Sequence, residues 1–576
     1  MRIDYSAKVG KFVVSGMSTE LEDLRAIPNR KYDKTSGFWI AGLTRANVNY
    51  LRRWEHKATK EAVVMMKQVE QGPVIRKGAL PVSFRFRTDP KPHQLEPLLR
   101  MMVSPSYALT MDPGTGKTKV AIDAAVCRFL ERKINAELVV CPNSIKSNWE
   151  DEIGIHGAGE HEVFIYDPSM KKRFDKWCKT SFPGKLKWLI MGVESFSQGS
   201  AWKVAEQFLV MHHAGFDLDE SSRIKTHDST RTEILIRLGR FAKFQTTMTG
   251  TPISKGLHQF WPQYEFLDPN ILDMGFYAFR NHFSVMGGYK GKQIIGSINQ
   301  EEFIDLVAPN TFRASKAECL KDLPPKIYQE RKVEPSAEQK RIYNELLSEG
   351  LSIVGDKHIS YDNTLVRDLR LQQIAGGFVA LKKEIIPPGP DEDLEAYFER
   401  IADQPAEPIP GPNPKIQELM ALVDEAPGKV IIWSRFKPEI YAICAALRKE
   451  YGDESVVEFH GDVNEDGRTL ARRRFQNDST CRFFVGQIST GGIGITLTAA
   501  TMVIYFSNAW ALEDRTQSED RAHRIDPLNQ DRDSILYVDL TTASPRPWVD
   551  SKILQALKDG KDYTDVVLRE IELAVT

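Results

Sequence analysis

The chain has 576 residues, 41% of them hydrophobic and 27% charged, which is the composition of an ordinary soluble globular protein and excludes the disordered and fibrous classes. Its length calls for several domains, because single cores stop growing well before that size. Lys plus Arg number 77 against 78 Asp plus Glu, so no overall positive field marks a nucleic-acid partner, and phosphate contacts have to come from local clusters. Six cysteines, Cys127, Cys141, Cys178, Cys319, Cys444 and Cys481, contain no Cys-x-x-Cys pair, which argues against zinc and against a disulfide framework. A reducing cytoplasm suits them. The opening MRIDYSAKVGKF is too polar for a signal peptide and no unbroken apolar run reaches membrane-spanning length, so a soluble chain is expected.

In chain order, residues 1 to about 80 combine the segment FVVSG, an acidic helical stretch STELEDLRAI, and RKYDKTSGFWIAG, which reads as a hairpin turning at Ser36 and Gly37. This predicts a small α+β module. From Leu138 the run LVVCP, and from Trp188 the run WLIMGVES, have the form of buried parallel strands. Helical stretches alternate with them, predicting an α/β lobe. Glu384 to Pro414, with IIPPGP and DQPAEPIPGPNP, reads as a linker or mobile surface insertion. Beyond it KVIIWS, FFVGQIS and TMVIYFS restore the buried-strand pattern and predict a second α/β lobe.

Met111 to Asp123, MDPGTGKTKVAID, stands where an apolar stretch gives way to a helix. Gly114, Thr115 and Gly116 there let backbone N–H groups turn inward on phosphate oxygens, and the helix N-terminus adds positive potential. Lys117 would reach the β and γ phosphates and Thr118 would ligate magnesium. Met111 occupies the place of the first glycine of G-x-x-x-x-G-K-T; a Gly-rich turn with an exposed lysine is the alternative. Downstream, FDLDESSRIK puts Asp219 and Glu220 at the end of a candidate strand, Asp219 to hold magnesium and Glu220 to orient the attacking water. An isolated acidic pair is usually a solvated surface, and Asp217 interrupts the apolar pattern; the order of the segments along the chain outweighs both.

With MTGTPISK at Met248 to Lys255 and QSEDRAHRI at Gln517 to Ile525, the chain from about Pro90 onward resembles the superfamily two helicases, and within them the Swi/Snf-type ATPases. KPHQLEPL is similar to the adenine-contacting glutamine motif, with Gln94 as its glutamine, and LVVCPNSIKSNW to the first nucleic-acid motif. HQFWPQYEFLDP, FRASKAECLKDLPPK and GGIGITLTAATMVIYFSNAW followed by Gln517 are similar to Swi/Snf-type signatures. The resemblance implies two RecA-like parallel-sheet lobes with helical insertions, ATP and magnesium as cofactors, and Arg521 and Arg524 as arginine fingers on one helical face. The plainer reading of those arginines is a salt-bridged helix surface beside Glu519 and Asp520. Thr496 replaces the usual asparagine, Asp526-Pro527 the usual Gly-Gln, and Lys255 an asparagine, which bears on coupling more than on activity.

By the same resemblance a strand would be tracked by Asn143, Lys146 and Trp149 in the first lobe and by Ser434, Arg435 and Thr490 in the second, mostly through phosphate contacts indifferent to sequence. Trp149 is equally readable as a core aromatic closing its helix. The N-terminal module, with Lys31, Tyr32, Lys34, Phe38 and Trp39, resembles the HARP-type domain of annealing helicases; Tyr32 and Trp39 would stack on exposed bases or else form the core of a small sheet. Lys171, Lys172 and Arg173 read as a solvated face.

These readings give an N-terminal accessory DNA-binding domain at 1–80, a first lobe at 81–270, a helical protrusion at 271–320, and a second lobe at 321–576 with an insertion at about 336–412. The implied activity is a DNA-dependent ATPase moving on double-stranded or branched DNA in fork remodelling, branch migration or annealing. A strand-separating DNA or RNA helicase, a restriction or defence motor subunit, and a nucleotide-dependent DNA clamp are the alternatives. A monomer is expected, in the cytoplasm of a bacterium or virus-infected cell, associated with the nucleoid and without a membrane partner; replication or recombination proteins are the partners considered.

Overall fold

The computed structural model describes residues 1–8, 11–27, 30–70, 75–197, 199–250, 256–287, 293–320, 325–349, 351–354, 357–360, 364–380, 406–491, 495–524 and 534–559. The chain divides into two compact units, Met1–Lys321 and Asp322–Thr576.

The first unit opens with strands β1 (Arg2–Ser6), β2 (Lys11–Ser15), β3 (Arg30–Asp33) and β4 (Phe38–Ala41) in an antiparallel sheet of order β1-β2-β4-β3. β3 and β4 are the hairpin expected around Ser36 and Gly37, and Gly37 takes the left-handed φ of 72° that the turn requires. Alternation puts Ile3, Phe12 and Val14 on one face, and Met65, Met66 and Val69 of the helix Lys60–Glu70 close a core over them. The module is tied to the rest of its unit by charge. Lys11 and Lys31 pair with Asp273 at 3.3 and 2.9 Å, and the Arg45 N–H donates to the buried Asp305 carboxylate at 3.0 Å.

The main sheet of this unit has seven strands: β5 (Ser106–Met111), β6 (Ala136–Cys141), β7 (Glu160–Ile165), β8 (Lys185–Gly192), β9 (Ala214–Asp219), β10 (Phe244–Thr249) and, beyond a β11 (Ser284–Gly287)/β12 (Gln293–Ser297) hairpin, β13 (Thr311–Ala314). Their order is β13-β5-β10-β9-β6-β8-β7 and every neighbouring pair is parallel. β6 and β9 are buried along their whole length, which is why they read as near-continuous apolar runs: helices cover both faces of a parallel sheet. Asp217 is the exception inside β9. It is 1% exposed, and burial pushes its carboxyl up to about 6.

β13 corrects one expectation. The stretch 271–320 was expected to be a helical protrusion; it does contain the helices Phe276–Phe283 and Gln300–Val307, but its end returns to the lobe as an edge strand beside β5.

In the second unit, β14 (Lys326–Val333) precedes two small ribbons, β15 (Leu351–Val354) with β16 (Lys357–Ser360) and β17 (Phe378–Ala380) with β18 (Ala406–Pro408). Then come β19 (Lys429–Ser434), β20 (Val456–Phe459), β21 (Phe483–Gln487), β22 (Ala500–Tyr505) and β23 (Ile535–Thr542). The sheet order is β14-β23-β22-β19-β21-β20, again all parallel. Along β19, Val430 and Ile432 enter one core layer while Ile431 and Trp433 enter the other, so the sheet is packed on both faces. The helices Ala337–Glu349 and Thr364–Ala375 build a further core with Trp548 and Ile553. The proposed mobile element from Glu384 lies outside the described residues as far as 405. Among the described residues no helix is long and apolar enough to cross a membrane.

The chain therefore has the two parallel-sheet, RecA-like α/β lobes expected, with helical insertions and a small α+β module in front of them.

Candidate active site

The sheet order of the first lobe places three chemically loaded loops side by side. β10 lies between β5 and β9, so the turns after Met111, Thr249 and Asp219 leave neighbouring carboxyl ends, where open α/β sheets bind ligands. Gly114 and Gly116 adopt φ of 83° and 89°, and the helix Lys117–Leu130 begins at once with Gly116 as its N-cap. A side chain at Gly116 would also place its Cβ 2.0 Å from Gln94 Nε2. The Gln94 amide donates to Thr115 O at 3.0 Å, and His93 Nε2 donates to the same carbonyl at 2.8 Å. Gln94 is thus part of the phosphate loop's support as well as a candidate adenine contact.

Met111 explains its own departure from the usual glycine. It is the last residue of β5, its side chain is wholly buried, and it is not among the positive-φ residues. No left-handed backbone is needed there, so no glycine is needed. Its carbonyl accepts Lys117 Nζ at 2.6 Å, which holds the lysine across the loop. Beyond it, Asp112 N–H donates to Ala314 O at 2.9 Å and the Lys316 N–H donates to Asp112 Oδ2 at 2.9 Å. The FRASKAEC stretch therefore buttresses the phosphate loop through β13.

Asp219 ends β9 and is 7% exposed. Its Oδ2 accepts Trp149 Nε1–H at 2.9 Å and its Oδ1 accepts the Glu220 N–H at 2.9 Å. Burial first, and the Glu220 charge second, push its carboxyl up to about 6, against the pull of Lys117 and the Trp149 bond. Glu220 sits in the left-handed region at φ 49° and ψ 55°, a conformation that costs a non-glycine residue about 1 kcal/mol and collects at functional sites. Gly250, after β10, is held close: a Cβ on it would meet Pro113 Cδ at 2.6 Å. Residues 251–255 of that motif, Lys255 included, lie outside the described set.

In the second lobe the helix Leu512–Ala522 carries Arg521 but ends before Arg524, so the two arginines do not share a helical face as their spacing predicted. Arg521 is 1% exposed and donates to Gln517 O at 2.8 Å. Arg524 Nε donates to Asp520 O at 3.0 Å and its Nη1 to Thr496 Oγ1 at 2.8 Å. The threonine standing where asparagine is usual thus holds this guanidinium. Glu519 is engaged by Arg515 and Lys326, each at 2.8 Å. Asp526-Pro527 lies outside the described residues.

Comparison with known proteins places these features. The SNF2-related domain model matches residues 48–378, more than half of the chain, and the helicase conserved C-terminal domain model matches 414–526. The chain belongs to the SNF2-related family. It is 25% identical over 471 residues to the probable ATP-dependent DNA helicase CHR23 of Arabidopsis thaliana, covering 78% of this chain and 41% of that protein. It is 26% identical over 425 residues to an uncharacterized ATP-dependent helicase of Mycoplasma genitalium, covering 72% of this chain and 36% of that one. The chain thus spans about two-fifths of the length of these curated relatives. The Sulfolobus solfataricus SWI2/SNF2 ATPase core in complex with double-stranded DNA aligns over 83% of this chain and 93% of its own, with 21% identity and a TM-score of 0.37.

For this SNF2-family chain the nucleic-acid residues drawn from the resemblance divide into two groups. Asn143 is exposed on a turn at the end of β6, where its N–H donates to Glu194 at 3.1 Å; Arg435 and Thr490 are half-buried, Arg435 donating to Gln372 at 2.7 Å and Thr490 to Gln487 at 3.4 Å. Lys146, at 6% exposure, is buried instead. Two expectations are corrected. Trp149, 1% exposed, gives its only donor to Asp219, so it stacks on no base. Ser434 is wholly buried, and its hydroxyl, like that of Ser507, donates to Glu439; a buried carboxylate requires such donors. The sequence reading missed His93, Asp112 and Lys316 as supports of the phosphate loop. Only the neighbourhood of His93 to Gln94 hinted at any of them.

Proposed function

We propose that the chain is a DNA-dependent ATPase that converts ATP hydrolysis into movement along duplex or branched DNA. The observation that carries this reading is the convergence of the Gly114–Lys117 loop and the Asp219–Glu220 pair at the carboxyl ends of β5 and β9, which flank β10 in an SNF2-family lobe. The relatives named as a probable ATP-dependent DNA helicase and as an ATP-dependent helicase support it.

In this mechanism the backbone N–H groups of the loop and the Lys117 ammonium cradle the phosphates. Lys117 exchanges the Met111 carbonyl for a phosphate oxygen. The Asp219 carboxylate, at the end of β9, and the Thr118 hydroxyl, at the start of the helix after the loop, are hard oxygen donors suited to magnesium. When bound, magnesium would neutralise phosphate charge. Glu220 orients the attacking water, and the family resemblance gives Arg521 and Arg524 the part of stabilising the charge that develops in phosphoryl transfer. Contacts through Asn143, Arg435 and Thr490 go to phosphate, so binding is insensitive to sequence and weakens with salt. Of the two aromatics considered for base stacking in the N-terminal module, Trp39 packs against the module's core and Tyr32, 48% exposed, is the one free to meet a DNA junction. We place the protein in the cytoplasm, acting as a monomer.

Lys117→Ala and Glu220→Gln are each expected to lower DNA-stimulated ATP turnover on the order of a hundredfold or more, while the protein stays folded. Phosphate release assayed with and without duplex DNA checks this; either variant turning over at the wild-type rate would remove the assigned site.

A further inference from the structure

Trp149 joins two places that the proposed mechanism treats separately. The helix Lys146–His156 starts from the turn Asn143–Ile145 at the end of β6, and β6 pairs directly with β9, Val140 beside Leu218. One turn into that helix the indole is 1% exposed and aims Nε1–H at Asp219 Oδ2, 2.9 Å away. The other oxygen, Oδ1, holds the N–H of Glu220. Each oxygen of the Asp219 carboxylate is therefore gripped once, by its own chain on one side and by the helix of the nucleic-acid turn on the other. A core aromatic without a function needs no donor: a phenylalanine would fill the layer. An indole has a single donor in a fixed direction, and a bond from it to a buried carboxylate is both strong and directional.

We infer that Trp149 is a positioning residue that transmits the seating of a DNA strand on the Asn143 turn to the Asp219–Glu220 pair, making hydrolysis dependent on DNA. This regulation rests on the DNA-motor reading above. A shift of the helix drags Oδ2, turns the carboxylate, and with it moves the Glu220 amide bonded to Oδ1. Glu220 is already held in a left-handed backbone, so small changes in that grip decide whether its side chain faces the water.

Two experiments on the full chain test it. Hydrogen exchange on the wild-type protein, with duplex DNA and no nucleotide, is expected to slow both in the Lys146–His156 helix and in the peptide holding Asp219 and Glu220. In Trp149→Phe, the ratio of DNA-stimulated to basal ATP turnover is expected to fall about tenfold, the weight of one hydrogen bond to a charged group, while nucleotide-free affinity for duplex DNA stays within about twofold. A folded Trp149→Phe protein with an undiminished ratio overturns the inference. So does DNA that protects the helix and leaves the Asp219 peptide unchanged, a result that does not depend on the variant folding. DNA that neither protects the helix nor stimulates the wild type overturns the DNA reading itself, and the coupling with it.

Discussion

Met111 stands where a phosphate loop usually has glycine, and its wholly buried side chain is part of the core behind β5. Restoring the common residue should therefore harm the protein. Met111→Gly is expected to cost about 2–5 kcal/mol, from the cavity and the added freedom of the unfolded chain, read as a lower midpoint in urea denaturation. At this scale the sequence disclosed residues whose chemistry is local: the glycines, Lys117, and Asp219 at a strand end. It did not disclose Trp149 or Ser434, because their partners, Asp219 and Glu439, are fixed only when helices pack. His212 shows the same limit. Burial, with Lys187 nearby, lowers its pKa from 6.5 to about 4, although its Nε2–H donates to Cys178 O at 3.1 Å. The folded state keeps it neutral while the unfolded chain takes up the proton first, so its contribution is present above pH 6.5 and is lost as pH falls from there toward about 4. Thermal melts across that range should decline less steeply in His212→Gln; an identical slope would remove His212 as the cause.

Elements were legible where they bury continuous apolar runs. β6, β8, β19, β21 and β22 stand where LVVCP, WLIMGVES, KVIIWS, FFVGQIS and TMVIYFS were read as strands. β13 was missed because TFRA is short, half-exposed and sits at a sheet edge, so neither apolar run nor alternation marks it. The N-terminal module has its own core, from Ile3 to Val69, and meets the lobe through Lys11, Lys31, Arg45 and the two carboxylates Asp273 and Asp305. Lys31, one of the residues that carry the module's resemblance to the HARP-type domain, is part of that seam. Deleting residues 1 to 80 is expected to spare basal ATP turnover and to impair remodelling of forked or four-way DNA. Equal remodelling by the truncated and full chains would assign the module a purely structural part.

At the scale of the whole molecule, a seven-stranded and a six-stranded parallel sheet belong to a chain whose family is shown by the SNF2-related match. Motif order made that family readable from the sequence, because spacing along the chain survives where single positions drift: Met111, Thr496 and Lys255 all depart from the pattern without breaking it. The central claim is movement along duplex DNA driven by ATP. Displacement of a third strand from a DNA triplex measures it most directly, since strand separation is not required. The wild-type protein is expected to release the third strand only with ATP and magnesium, and Lys117→Ala is expected to leave it bound; a wild-type protein that hydrolyses ATP on duplex DNA yet never displaces the strand would contradict translocation.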